Sequence, residues 1–203
     1  MPEVDADVLV STEFADDAAV VRIGGDERRA LVMTADVIAP LVDDPEQFGE
    51  IAATNAISDV YAMGGRPLFA LNLAFFPDDE LPLDILGQIL QGGARACKRM
   101  GVAIVGGHTV RDGDIKYGLS VVGEVNADAV LSNRGARPGQ ALVLSKALGT
   151  GIIGTAIKKG LASAAEASAA VASMTSHNGL ALEVARQFRV SACTDVTGFG
   201  LLG

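Results

Sequence analysis

A chain of 203 residues, 49% of them apolar, has the material for a packed core, which excludes an intrinsically disordered class. Its formal charge is −9 with no basic block, so it offers no footprint for nucleic acid. No stretch approaches the ~20 apolar residues of a membrane-spanning helix, and the acid-rich N-terminus lacks a signal-peptide pattern, so no membrane partner is expected.

Aromatics make up only 4%, so the core must be built from Ala, Val, Leu and Ile. The 24 glycines, which form no repeat, imply tight turns or close backbone approaches to a ligand. Cys97 lies in a helical pattern and Cys193 in a strand pattern, without metal-ligand spacing. Both read as buried structural thiols in a reducing cytoplasm.

Taken in order, residues 18–23 and 30–35 are expected strands joined by Gly24-Gly25-Asp26. Pro45 marks a helix start, and the pattern runs to Met63, where Gly64-Gly65 and Pro67 stop it. A strand over 68–75, a helix over 83–100 and a short buried strand over 102–105 follow, the last closing on Gly106-Gly107. Residues 117–125 form a further strand, and 133–139, with glycine and proline, are the best linker. Beyond it come a strand over 141–145, a glycine loop into a helix ending near Lys159, helices over 162–171 and 176–188, and a last strand over 190–193. The expected class is α/β with a mixed sheet: an N-terminal lobe over 1–132, a linker over 133–139, and the opening of a C-terminal lobe over 140–203.

The helix after Pro45 has the sharpest pattern. Thr54, Asn55, Ser58 and Asp59 form two i,i+4 pairs on one stripe, and the remaining surface is apolar. Such a stripe faces a partner or ligand, the alternative being a solvated face. Burying an unpaired carboxylate costs several kcal/mol, so Asp59 is expected to meet a cation or strong donor. Asp36 follows a strand at the edge where α/β proteins place ligands. Asp16-Asp17 sits directly before another strand, although adjacent acids in a turn are as easily read as solvated.

The last ten residues, Thr194-Asp195-Val196-Thr197-Gly198-Phe199-Gly200-Leu201-Leu202-Gly203, put a carboxylate after a β-prone run. A hydroxyl and two glycines then open what reads as the first turn of an apolar helix. Backbone N–H groups beside an acid suit a polyphosphate and its magnesium. Because Leu201 and Leu202 would end the chain in mid-element, the sequence reads as part of a longer protein. Asp17, Asp36, Asp59 and Asp195 together supply hard oxygen ligands from separate elements, as magnesium bridged by phosphates requires. Gly106-Gly107-His108-Thr109 adds glycine amides and a hydroxyl, with a plain turn histidine as the alternative. Neither the Walker pattern nor a Gly-x-Gly-x-x-Gly turn occurs.

Four stretches resemble the selenophosphate synthetase (selenide, water dikinase) family, within the superfamily of aminoimidazole ribonucleotide synthetase. They are Asp16-Asp17-Ala18-Ala19-Val20, the helix segment from Ala52 through Asp59 to Gly65, Gly106-Gly107-His108-Thr109, and Thr194 through Gly203. The last is the most particular. The resemblance implies ATP-dependent phosphorylation of selenide to selenophosphate, with AMP and orthophosphate as the other products. It implies magnesium held by Asp17, Asp59 and Asp195, and leaves room for potassium. It implies ATP contacts from Phe14, Ala15, Asp16, Asp36, Asn55, Asp59, Gly107, His108 and Thr109. It implies a homodimer in which partner strands complete a barrel. This suits strands 30–35, 68–75 and 117–125, which are apolar on both faces.

The family also carries a catalytic cysteine or selenocysteine and a lysine upstream of the Asp-Asp turn. Nothing here matches that segment, so no catalytic residue is assigned and the chain by itself is expected to be inactive. Two alternatives stay open. One is another ATP-using relative, such as a thiamine monophosphate kinase or a hydrogenase-maturation dehydratase, against which Thr197-Gly198-Phe199-Gly200 argues. The other is a nucleotide- and metal-binding module without catalysis.

Overall fold

The computed structural model describes residues 6–24 and 26–201; Gly25 of the expected turn, with Leu202 and Gly203, lies outside them. Six strands form one sheet in the order β1-β2-β3-β6-β4-β5. They are β1 (Val8–Val10), β2 (Ala19–Arg22), β3 (Arg29–Ile38), β4 (Arg66–Phe76), β5 (Ala103–Arg111) and β6 (Lys116–Asn126). All neighbours pair antiparallel except β4 and β5, whose parallel pairing needs a crossover, and α2 (Leu83–Arg99) supplies it. The mixed sheet with helices agrees with the expected α/β class.

The helix α1 (Pro45–Ala62) lies at the centre, on the sheet and alongside α2. Asp44 starts it by accepting the Gln47 amide at 2.8 Å, with Pro45 in the first turn, where its missing N–H costs nothing. A Schellman motif ends it: Gly65 N–H bonds the Val60 carbonyl, Gly64 N–H bonds that of Tyr61, and Gly64 takes φ +75°. Glycine also sets how close the helices come. A Cβ on Gly49 would lie 2.0 Å from the Ile89 carbonyl, and one on Gly92 would lie 2.0 Å from that of Glu46. Arg95 closes the seam with ion pairs to Glu46 and Glu50.

Ala30, Val32, Ala70, Ala74, Leu119 and Val121 pack beneath Phe48, Ala52, Ala56 and Ile57 of α1 as one continuous core. The opposite face of the sheet carries Met33, Phe69, Leu71, Val105 and Val110 exposed. Three further helices follow: α3 (Thr150–Lys158), α4 (Ala164–Thr175) and α5 (Gly179–Ala185). A capping box between Ser163 and Glu166 starts α4.

Several expectations need correction. Residues 141–145 and 190–193 are not strands: among the described residues neither joins a ladder, 190–193 meeting Ser132 through one backbone bond from Cys193, and short β-prone runs do not hold a strand alone. Leu142 and Val143 stand exposed as a result. After Asp195 the chain makes a turn, closed by Gly200 N–H on the Thr197 carbonyl; the rest of the expected helical turn, at Leu202 and Gly203, lies outside the described residues. Residues Gly106, Gly107, His108 and Thr109 belong to β5 itself, because pairing with β4 continues past a register shift at Ala70/Leu71. Glycine is needed there, since a Cβ on Gly107 would meet the Asn72 carbonyl at 2.4 Å. The short β1 carries too few residues to show an alternation and went unpredicted.

Candidate functional site

The acids gather above the C-terminal half of α1. Thr34 and Asp36 both lie on the helix-facing side of β3, because alternate strand residues share a face. The Thr34 hydroxyl donates to Asp59 Oδ2 at 2.5 Å, and the Asn55 amide donates to the Asp36 carboxylate. From the other side, Thr194 Oγ1 donates to Asp17 Oδ1 at 3.0 Å and brings Asp195 with it. The Asn178 amide, just before α5, donates to the buried Ser58 hydroxyl at 2.7 Å. Asp17, Asp36, Asp59 and Asp195 thus come together from four separate parts of the sequence.

Their electrostatics are unfavourable as they stand. Asp59 is only 9% exposed, and its carboxyl is pushed up to about 8. Burial is the main cause; the Thr34 hydrogen bond opposes it, and the charges of Asp195, Asp36 and Asp17 add to it. Asp195 rises to about 6, from burial first and the Asp17 charge second, with the Ser58 hydrogen bond opposing. Asp17 and Asp36 are also raised, again chiefly by burial. Asp17 Oδ2 is buried with no hydrogen-bond partner. An orphaned acceptor among mutually repelling carboxylates is what a bound cation resolves, so the residues fit magnesium. Among the described residues no three His, Cys, Asp or Glu groups close around a single point as a metal cage. Magnesium rarely uses such a cage and keeps water and phosphate oxygens as ligands.

Not every expected residue joins this group. The Asp16 side chain points the other way: it is fully buried, accepts the Asn133 backbone amide at 2.6 Å, and lies 3.8 Å from the Arg134 guanidinium. Ala15, which closes the turn after Thr12–Phe14, takes φ 50°, a left-handed conformation costing a non-glycine residue about 1–2 kcal/mol. Gly107, His108 and Thr109 lie on the edge strand. The ladder runs His108–Leu73–Gly118–Val37, so His108 sits three strands from the neighbour of Asp36, roughly 14 Å away at ~4.8 Å per strand.

Some participants were not expected. Lys146 is half-buried, donates to the Ser176 carbonyl, and has its ammonium pKa lowered by burial while the Asp195 charge pulls it up. A lone lysine within the apolar run from 141 to 148 was the available signal. Thr34 and Thr194 had none beyond proximity to Asp36 and Asp195. Cys97 is buried as expected and its thiol is pushed up to about 11. Cys193 is half-buried and its pKa is raised by burial and by Asp17 and Asp195. Neither is an activated thiolate.

This fold is that of a defined class. Residues 15–125 match the AIR synthase related protein N-terminal domain, and residues 137–203 match the C-terminal domain, so the chain belongs to the AIR synthase related family. Within it, the chain is 53% identical over 199 residues to a selenide, water dikinase of Geobacter metallireducens, covering 98% of this chain. The resemblance read from the sequence is thereby borne out. The chain spans 57% of that relative's length. In fold it is similar to thiamine monophosphate kinase from Aquifex aeolicus, with a TM-score of 0.72 at 23% identity over 89% of this chain and 62% of that one. It is also similar to a hydrogenase maturation protein HypE in complex with ATP, with a TM-score of 0.59 at 27% identity over 74% and 46% of the two chains.

Proposed function

We propose that this chain forms the nucleotide- and metal-binding part of a selenide, water dikinase, which phosphorylates selenide at the expense of ATP and yields selenophosphate, AMP and orthophosphate. The observation that carries the reading is the convergence of Asp17, Asp36, Asp59 and Asp195. Half-identical relatives of that name and an ATP-bound fold neighbour support it. Asp17, Asp59 and Asp195 would hold magnesium, which when bound offsets negative charge on phosphoryl oxygens. Asn55 orients Asp36 toward the site, Thr34 holds one oxygen of Asp59 in place, and Ser58 with Asn178 holds the segment carrying Lys146's partner, Ser176. Lys146 would supply positive charge to the triphosphate from above. Residues 1–132 and 140–203 act in this reading as two lobes joined by 133–139.

The uncovered sheet face with Met33, Leu71 and Val105 supports a homodimer, and two unpaired cysteines suit the cytoplasm. The test is calorimetric titration of ATP into the chain with and without magnesium, followed by phosphorus NMR for selenide-dependent AMP and selenophosphate in a protein of the relatives' length. Magnesium-dependent binding is expected. Equal binding with and without the metal would overturn the assignment of the acids.

A further inference from the structure

Asp16 and Asp17 are neighbours with different destinations. Asp17 faces the acids; the Asp16 carboxylate, fully buried, faces residues 133 and 134. Those residues lie in a continuous seam. Asn133 N–H donates to Asp16 Oδ1 at 2.6 Å, and the Asn133 side-chain amide donates to the Ala15 carbonyl at 3.2 Å. One residue earlier, the Ser132 carbonyl accepts the Cys193 amide at 2.9 Å. Two residues later, Gly135 passes so close to Ser191 that a Cβ would lie 2.3 Å from the Ser191 carbonyl. Residues 132–135 are thus held between the Asp16 turn on one side and 191–193 on the other. The chain leaving Cys193 then delivers Thr194 to Asp17 and Asp195 to the acid group.

We infer that Asp16 is a positioning residue whose side chain clamps residues 133–134 and thereby sets Asp195 against Asp17, Asp36 and Asp59, rather than a side-chain contact of the nucleotide. The physical reason is that a buried carboxylate is costly unless hydrogen-bonded, and the groups that offset it come from the 132–135 segment: the Asn133 amide bonds Oδ1, while Oδ2, which has no hydrogen bond, lies 3.8 Å from the Arg134 guanidinium. Left-handed Ala15 is what aims the carboxylate that way, and the Asn133 side chain ties down that same residue's carbonyl. Breaking the clamp frees the only segment that carries Asp195.

The test compares Asp16→Ala, Asp16→Asn and Arg134→Met in this chain, by amide hydrogen exchange and by binding of ATP with manganese, whose EPR signal reports its ligands. This second arm rests on the proposed metal–nucleotide site; the exchange arm does not. Asp16→Ala should lose protection at the Asn133 and Cys193 amides while the β3 and β6 amides stay protected. It should also weaken manganese-dependent ATP binding about tenfold or more, the size of a lost charge-assisted hydrogen bond. Asp16→Asn keeps an acceptor for Asn133 N–H and should recover most of both. With Asp195→Asn already present, Asp16→Ala should cost little further affinity, because what it positions is gone. If Asp16→Ala unfolds the sheet, Arg134→Met must show the same paired loss. Unchanged protection at Cys193 with a fully additive affinity loss would overturn the clamp. Wild-type chain that binds no manganese–ATP would overturn the metal–nucleotide reading, while the exchange result still decides the clamp.

Discussion

Thr34 on β3 and Asp59 on α1 are joined by a 2.5 Å hydrogen bond that fixes one carboxylate oxygen. The bond opposes the rise in the Asp59 pKa without cancelling it, since that carboxyl still reaches about 8. The strand therefore orients the acid, while burial and the neighbouring carboxylates raise its pKa.

Metal-free stability should fall as pH rises. The folded Asp59 keeps its proton up to about 8, whereas the unfolded one loses it near 3.8. Between those values the native state binds more protons, so stability drops with increasing pH across that window and levels off above it. Asp195, raised to about 6, acts in the same sense over a narrower range. Magnesium, which binds the ionised forms, should flatten or reverse the slope. Urea denaturation at pH 5 and pH 8, with and without magnesium, checks this; a rise in metal-free stability over the interval contradicts it.

Asp59→Asn should abolish magnesium-dependent ATP binding yet leave metal-free stability at pH 8 equal or higher, because it removes a buried charge that has no counter-ion. Thr34→Val should be milder, with a stability change within about 1 kcal/mol and magnesium-dependent ATP binding weakened by about tenfold. Calorimetry on both variants separates the ligand from the residue that orients it. Asp59→Asn that binds like wild type disproves the ligand assignment.

Lys146→Met keeps the aliphatic stem and removes the charge. Lys146 interacts with Asp195, so its removal should weaken ATP binding about tenfold while leaving magnesium alone bound as well or better. Equal losses for metal and nucleotide would mean that the lysine supports the fold of the site rather than meeting phosphate.

Gly49→Ala should cost about 2–4 kcal/mol, since the added Cβ meets the Ile89 backbone carbonyl at 2.0 Å and backbone cannot rotate away. The two helices would have to part along their length. A midpoint in urea within error of wild type refutes this reading of the α1–α2 contact.

The acids on regular elements were legible in the sequence because periodicity places them. The apolar remainder of α1 isolates Asp59, and Asp36 lies near a strand end, although β3 continues past it to Ile38 rather than stopping at residue 35. What could not be read depends on partners distant in sequence. Asp16 and Asp17 look alike until Asn133 and Thr194 arrive, 117 and 177 residues away, to take one carboxylate each. The segment 102–105 looked short because its extension through Thr109 depends on β4, and 190–193 looked like a strand because a β-prone run does not reveal whether a partner lies beside it. Lys146 is marked in the sequence only by its isolation in an apolar run; its place follows from the Ser176 carbonyl 30 residues further on.

The exposed sheet face makes the last prediction. Met33 is 46% exposed, Leu71 42% and Val105 61%, on three strands of one continuous face that no helix covers among the described residues. Apolar surface of this kind on a regular sheet needs a second layer, and a second copy of the chain would provide a self-complementary one. A stable pairing buries about 800 Å² on each partner, an area a face of four strands can supply. The chain should therefore sediment as a dimer at micromolar concentration. Leu71→Glu places a charge at the centre of the buried patch and should shift it to monomer, because an unpaired charge in such an interface costs several kcal/mol. Ala94→Glu, exposed on α2 rather than on the sheet, should leave the dimer intact. A wild-type chain that stays monomeric at tens of micromolar, or a Leu71→Glu variant that dimerises as well as wild type, would remove this face from consideration as the interface.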